Sequence, residues 1–282
     1  MSVKAAEYRD ERAEIDALLR VAERADGYPP LTEDAWIDYL SGPARPGLVA
    51  RDGAFIVGYA HVRRVEEGVV VEPVIHPECR STMARRLLAA TLERIRPEGV
   101  LLWASDPDVV AAAAALGLAE DRSLLHLTAP LPVSEEPAVP PGVDVDTFRV
   151  GRDEAAVLEV NAAAFARHPD NAGWGLADLE ARIRREWFDP EGFFLARRAG
   201  ELVAGCWTKL HPGGIGEIYW IGVHPEAQRT GLGRALTLIG LEHLAGTRHT
   251  ATLYTESSNA PALGLYESLG FRTLRVKRLL RG

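Results

Sequence analysis

Cysteine is almost missing from this chain: Cys79 and Cys206 stand alone among 282 residues. Two thiols so far apart, in no metal-like spacing, exclude a disulfide scaffold and a cysteine-built zinc site. No metal is expected. Excess positive charge is missing too. With 32 Lys and Arg against 40 Asp and Glu, the formal net charge is −8. That excludes nucleic acid as a main partner, because phosphate recognition wants a basic surface. No apolar run is long enough to cross a bilayer, and the opening MSVKAAEYRDERAE lacks the apolar core of a secretory signal. A cytoplasmic protein with no membrane partner is the expectation. What is present is ordinary globular material, 47% hydrophobic and 26% charged, in a length suited to two domains.

The seam is APLPVSEEPAVPPGVDV, residues 129–145, with five prolines. Successive prolines deny helix and sheet their hydrogen bonds, so the segment reads as an extended linker. A long surface loop inside one domain is the other reading. Repetition of the flanking pattern favours the linker. In the second half, RDEAAVLEVNAAAFAR reads as a helix, and LADLEARIRREWF puts Leu176, Leu179, Ile183 and Trp187 on one helical face. GFFLARRAGELVAGCWTKL reads as two strands about a turn at Ala199–Gly200. Then follow the strand GEIYWIGV, a glycine turn, the helix GRALTLIGLEHLA, the strand TATLYTE, a helix over 259–269 and the strand FRTLRVKRLL. The first half repeats this order, and Ile75-His76-Pro77-Glu78 answers Val223-His224-Pro225-Glu226. A tandem duplication explains both. The expected parts are 1–130, a linker at 131–143, and 144–282.

Gly231 and Gly233 stand where a helix opens, although glycine costs a helix about 1 kcal/mol relative to alanine. The first amides of a helix have no partner within it, and the helix dipole adds positive potential. Glycines there let a pyrophosphate approach without a Cβ clash, with Arg229 and Arg234 adding charge at the edge. A purely structural turn is the alternative for this stretch alone. A dinucleotide-type fold is disfavoured, because its glycine fingerprint belongs to a first strand–helix turn.

Two spaced motifs decide more than one. GVHPEAQRTGLGRAL followed by LYTESSNAPALGLYESLGF resembles the GCN5-related N-acetyltransferase (GNAT) superfamily. Val223 to Gly233 match its V-x-P-x-x-Q/R-x-x-G-x-G/A pattern. Asn259 to Phe271 match its closing N-x-x-A motif, with Gly264 and Leu265 before Tyr266. The resemblance implies an α/β mixed sheet in two tandem GNAT-like acyl-CoA N-acyltransferase domains, with acetyl-CoA as acetyl donor. It implies that amides of Gln228, Arg229, Thr230, Gly231, Leu232, Gly233 and Arg234 cradle the pyrophosphate. The backbone at Ile221, Gly222 and Val223 would pair with the pantetheine arm. Asn259 would bond that arm, with Ala260, Pro261, Ala262, Leu263 and Gly264 completing the coenzyme site. Tyr266 would lie near the thioester sulfur.

Acetyl transfer to an amine needs a base for the amine proton and an acid for the departing thiolate. Glu217 starts the strand that ends in the coenzyme motif, and period-2 alternation places it on the face of Tyr219, Ile221 and Val223. Glu217 is the expected base and Tyr266 the expected acid. A solvated strand end and a core aromatic are their plain alternatives. In the first half Arg80, Met83 and Arg85 fall opposite Gln228, Gly231 and Gly233, where side chains would crowd a pyrophosphate. That domain is expected to transfer nothing.

NAAAFARHPDNAGW, WFDPEGFFLA and CWTKLH, with the coenzyme motif, closely resemble the mycothiol synthase family of actinobacteria. That resemblance implies transfer to the cysteinyl amine of a cysteinyl–glucosaminyl–inositol pseudodisaccharide. Nothing in the sequence marks an oligomer interface, and a monomer is the expectation. It implies that Asp170, Lys209, Glu217 and Tyr254 line the substrate pocket, with Glu33 reaching in. Each has a plain alternative: turn chemistry for Asp170, a strand-end charge for Lys209, a sheet aromatic for Tyr254, and a helix N-terminal carboxylate after Thr32 for Glu33. Trp174 and Trp207 read as core. The rival functions are another small-molecule or aminoacyl N-acetyltransferase, and a non-catalytic acyl-CoA sensor.

Overall fold

The structure, a computed structural model, describes residues 2–5, 8–42, 47–95, 98–166 and 174–282. Contacts divide the chain into one unit of Met1–Leu124 with Arg275–Gly282 and a second of Leu125–Leu274. This division differs from parts drawn at 1–130, 131–143 and 144–282. The proline-rich segment goes with the second unit, and the last residues return to the first. The reason for the return is a strand pairing that no local pattern announces.

In the first unit, β1 (Ser2–Ala5), β2 (Leu48–Asp52), β3 (Phe55–Val65), β4 (Gly68–Ile75) and β5 (Val100–Ala104) lie side by side in that order, with α1 (Tyr8–Asp26), α2 (Glu33–Ser41) and α3 (Arg80–Ile95) between them in sequence and α4 (Pro107–Ala115) after β5. The chain continues through β6 (Ala119–Pro130), and its last strand, β12 (Arg272–Arg281), pairs antiparallel with β5 from Arg278↔Ala104 to Arg281↔Leu101. Ile15, Leu19, Ala35 and Tyr39 of α1 and α2 form one core, and Met83, Leu87, Leu88 and Val109 of α3 and α4 form another.

The second unit is built alike. Residues 131–142 carry neither helix nor strand, as five prolines in and around them dictate. Then come β7 (Val143–Thr147), α5 (Glu154–Ala164), α6 (Leu176–Ile183), β8 (Phe193–Arg198), β9 (Glu201–Leu210), β10 (Ile215–Val223), α7 (Leu232–Ala245), β11 (Thr250–Glu256) and α8 (Ala260–Ser268). Strands β7 to β10 pair antiparallel in sequence order, and β10 pairs parallel with β11. A parallel neighbour requires a crossover, which α7 supplies. The β8–β9 turn uses Ala199 (φ 51°) and Gly200 (φ 86°), the left-handed pair that a two-residue hairpin demands. On α6, Leu179 is buried as expected, but Leu176 is exposed at the first turn, and Trp187 lies beyond the helix end.

Helices cover both faces of this sheet. One face carries an aliphatic core of Cys206, Ile218, Leu236, Leu241, Leu253 and Tyr266 under α7 and α8. The other carries an aromatic core of Phe148, Phe193, Trp207 and Trp220 under α5 and α6. Helix α7 approaches closely at Gly240, where a Cβ would stand 2.8 Å from Ile218 Cδ1 and 2.9 Å from Cys206 Sγ. Gly240→Val should therefore cost about 1–3 kcal/mol through overpacking. A thermal melt will show the loss, and an unchanged midpoint would mean that the helix can step back freely.

Candidate active site

Strand β10 carries a bulge. Its register with β9 runs Glu217↔Lys209 and Ile218↔Thr208, then resumes at Trp220↔Trp207 with Tyr219 as the extra residue. A bulge inserts one residue and reverses the alternation beyond it. Tyr219 and Trp220 consequently both join the aromatic core, while Ile218, Ile221 and Val223 all join the aliphatic side. The expectation that Glu217 shares a face with Tyr219, Ile221 and Val223 holds for Tyr219 and fails for the other two, because strict period 2 stops at the bulge.

Just past Ile218↔Leu253 the parallel pairing of β10 with β11 also ends. From Tyr219 to Val223 the β11-side edge of β10 is out of that ladder, leaving backbone N–H and C=O groups able to take an extended partner. Ile221, Gly222 and Val223 lie on this edge. The strand then runs through a short 3-10 turn, Pro225–Ala227, into a loop and α7. Gln228 stays extended and donates Nε2–H to the Val223 carbonyl at 3.2 Å, and Arg229 is left-handed at φ 61°. Thr230 Oγ1 donates to the Ala227 carbonyl at 2.8 Å. Gly231 caps α7 at φ 88°, with nothing within 4 Å of where a Cβ would be. The Gly231 carbonyl takes the amide of Ala235, so the amides of Leu232, Gly233 and Arg234 precede the first intrahelical bond. A Cβ on Gly233 would touch only Val223 Cγ2, at 3.6 Å. The cradle fits a diphosphate.

Arg234 is not left to solvent. Its Nε donates to Glu135 Oε1 at 2.6 Å and its Nη2 to Glu135 Oε2 at 2.5 Å, while Nη1 donates to Ser268 Oγ at 2.8 Å. Glu135, from the proline-rich segment, is held below the usual carboxylate range by this guanidinium.

The aromatic face gathers the polar groups. Glu217 is 8% exposed and Lys209, opposite it on β9, is 9% exposed. Lys209 Nζ lies 4.3 Å from the Trp187 ring centre and 5.2 Å from that of Tyr219, contacts worth up to about 2 kcal/mol for a desolvated ammonium. His211 Nε2–H donates to Glu217 Oε2 at 2.6 Å. Buried Arg182 of α6 donates Nε–H to the Tyr219 hydroxyl at 2.8 Å and stacks 4.7 Å above Trp174. On β11, Thr252 pairs in register with Glu217, so Tyr254 two residues on is on the same face. Tyr254 is stacked 4.4 Å from His126, and His126 Nε2–H donates to Thr252 Oγ1, which itself donates to the Leu127 carbonyl.

Tyr266 is on the opposite, aliphatic face, buried on α8 with its ring 5.9 Å from Phe271. Burial, with the Cys206 thiol nearby, raises its pKa above the ordinary phenol value, so it keeps its proton at neutral pH. Asn259 caps α8, its Oδ1 accepting from the Ala262 amide at 3.3 Å. Ala260, Pro261, Ala262, Leu263 and Gly264 form the first turns of that helix.

Of the sequence-derived substrate residues, Lys209, Glu217 and Tyr254 come together on one face. Glu33 belongs to the first unit, in the first turn of α2 after the Thr32 cap, and Asp170 lies outside the described residues. Trp207 is fully buried, whereas half-buried Trp174 stacks on Tyr219 as well as Arg182. Sequence reasoning passed over His211, Arg182 and Trp187. His211 was findable as the residue two beyond Lys209, whereas a buried arginine amid surface-type charge in LADLEARIRR carries no local signal. Among the described residues no three His, Cys, Asp or Glu form a metal-like group, and no helix is long and apolar enough to cross a membrane.

The first unit lacks the cradle. Its helix α3 begins at Arg80 directly after the Pro77–Cys79 turn, with Arg80 itself at φ −56°. Residues 80–83 are thus helical where 228–231 form the open loop. Met83 is fully buried in the core, and Arg80 is paired with Asp26 at 2.6 Å and Asp106 at 3.1 Å.

The model of the acetyltransferase (GNAT) family matches residues 161–271, the span holding Lys209, Glu217, the glycine turn and Tyr266. A mycothiol acetyltransferase of Thermomonospora curvata is 47% identical, over 94% of this chain and 91% of that relative. The chain belongs to the mycothiol acetyltransferase family. A second member, from Thermobispora bispora, is 42% identical over 98% of both chains. Among solved structures, a GCN5-related N-acetyltransferase from Sphaerobacter thermophilus matches with a TM-score of 0.76 at 21% identity, covering 100% of this chain and 95% of that one. A tandem GNAT protein from the clavulanic acid biosynthesis pathway matches equally, 0.76 at 19% identity, covering 100% and 98%. The fold is that of the GNAT acetyltransferases, and family membership makes the chain an N-acetyltransferase.

Proposed function

We propose that the second unit transfers the acetyl group of acetyl-CoA to the cysteinyl amine of cysteinyl–glucosaminyl–inositol, giving mycothiol and free coenzyme A. The observation that carries this reading is the parting of β10 and β11. Glu217 lies on one face of the sheet just before it and Tyr266 is packed on the other face. A thioester lying along the freed edge of β10 meets a base on one side and an acid on the other. The amine nitrogen attacks the carbonyl carbon, and Glu217 takes its proton. The carbon–sulfur bond breaks, and the Tyr266 hydroxyl protonates the departing thiolate. The residues around Glu217 suit a polyhydroxylated ammonium substrate: Lys209 donates, Tyr254 offers a phenol, and Trp187 offers an apolar ring. The relatives' shared name selects this amine among others. The first unit, without the glycine turn and with Ala113 before Leu116-Gly117 where Tyr266 stands before Leu269-Gly270, contributes no transfer.

The test follows coenzyme A and N-acetyl product by chromatography with mass detection, since the substrate's own thiol defeats a colour assay. Turnover with the pseudodisaccharide and none with glucosamine, free cysteine or a peptide pool is expected. Turnover with those amines alone would leave an acetyltransferase of another substrate, and none with any amine despite coenzyme binding would leave a sensor. The cradle has its own test. Gly231→Val, forced into a left-handed backbone at about 1–2 kcal/mol, should raise the KM for acetyl-CoA roughly 5- to 30-fold. An unchanged KM would place the diphosphate elsewhere.

A further inference from the structure

His211 ends the β9 side of the β9–β10 hairpin. Its amide donates to the Ile215 carbonyl at 2.9 Å, and the chain reverses through Gly213 (φ 75°) and Gly214 (φ 77°). A Cβ on Gly214 would stand 2.2 Å from His249 Nε2, so that turn is closed from behind. With Gly216↔Leu210 and Glu217↔Lys209 in register, His211 is the diagonal neighbour of Glu217, on the same face as Lys209. The carboxylate is thus set against an ammonium directly across and an imidazole on the diagonal. An ionised carboxylate only accepts, so the imidazole Nε2 carries the hydrogen in the 2.6 Å bond to Oε2. Such charge-assisted bonds are the short, directional ones.

We infer that His211 is a positioning residue for the transfer: by holding Oε2 it fixes the Glu217 carboxylate so that Oε1 takes the amine proton. The inference rests on Glu217 being the base. A long acid side chain that can rotate about its terminal bonds spends little of its time in line with the attacking nitrogen, and misplacement by about 1 Å costs about 10²-fold. His211 stands at the Glu217 end of β10, away from Gln228–Arg234 and on the face opposite Tyr266, so its contribution belongs in kcat.

The experiment measures kcat and the KM for acetyl-CoA in His211→Ala, His211→Gln, Glu217→Gln and the double variant His211→Ala/Glu217→Gln, with cysteinyl–glucosaminyl–inositol as acceptor. His211→Ala is expected to lose about 10²-fold in kcat with the acetyl-CoA KM within about two-fold of wild type. Glutamine keeps an N–H that reaches the same oxygen, and should stay within about ten-fold of wild type. In the Glu217→Gln background the alanine change should cost nothing further, because it acts through a carboxylate no longer there. Wild-type kcat in His211→Ala, equal losses in Ala and Gln, or a full extra loss in the double variant would each overturn the inference. If the alanine variant fails to fold, His211→Leu takes its place, filling the space without a donor. Unreduced turnover in Glu217→Gln would instead sink the base assignment itself, a separate outcome.

Discussion

Glu217→Gln is expected to lower kcat by about 10²–10⁴-fold, the usual worth of a positioned general base, while the KM for acetyl-CoA stays near the wild-type value. The amide has the shape of the carboxylate and can still accept from His211 through its oxygen. It cannot take a proton. The loop proposed to hold the coenzyme diphosphate lies beyond the other end of β10, from Gln228 to Arg234, so binding there has no reason to change. A loss shared equally with acetyl-CoA affinity would point to collapse of the strand end. Retained turnover would mean that bulk water accepts the proton and that Glu217 only binds the ammonium.

Tyr266→Phe should lower kcat by about 10²-fold with little change in thermal midpoint. The ring keeps its place against Phe271, 5.9 Å away, and removing a buried hydroxyl of like shape is nearly neutral for stability. What is lost is a proton that burial keeps in place. An unchanged kcat with a lowered midpoint would make Tyr266 a core residue and leave the thiolate to depart unaided.

Much of this fold was legible because its signals are local. Gly200 beside Ala199 marks the β8–β9 turn, Thr250–Glu256 is bounded as its β-branched run implies, and Asn259 announces α8 as its cap. The glycine turn before α7 was legible because glycine is costly where a helix opens, and Gly231 does take a left-handed φ of 88° there. What escaped was non-local. The Tyr219 bulge depends on β9 failing to keep pace with β10, and nothing in IYWIGV shows which residue is extra. His211 matters only once hairpin register sets it diagonal to Glu217. Arg182 reads as solvent charge until the aromatic core closes over it. The return of β12 to β5 joins residues too distant in sequence for any window to span.

The two cysteines have a consequence for redox chemistry. Cys206 is fully buried, and burial pushes its thiol up to about 12. At neutral pH about one such thiol in 10⁵ is ionised. Half-buried Cys79 is pushed the same way by desolvation and by the nearby carboxylates Asp52 and Glu78. Thiol–disulfide exchange proceeds through the thiolate. An acetyltransferase whose acceptor carries one thiol and whose spent donor is another would meet mixed disulfides of both whenever its surroundings turn oxidising. With both of its thiols pushed toward the protonated form, it offers little thiolate to such exchange.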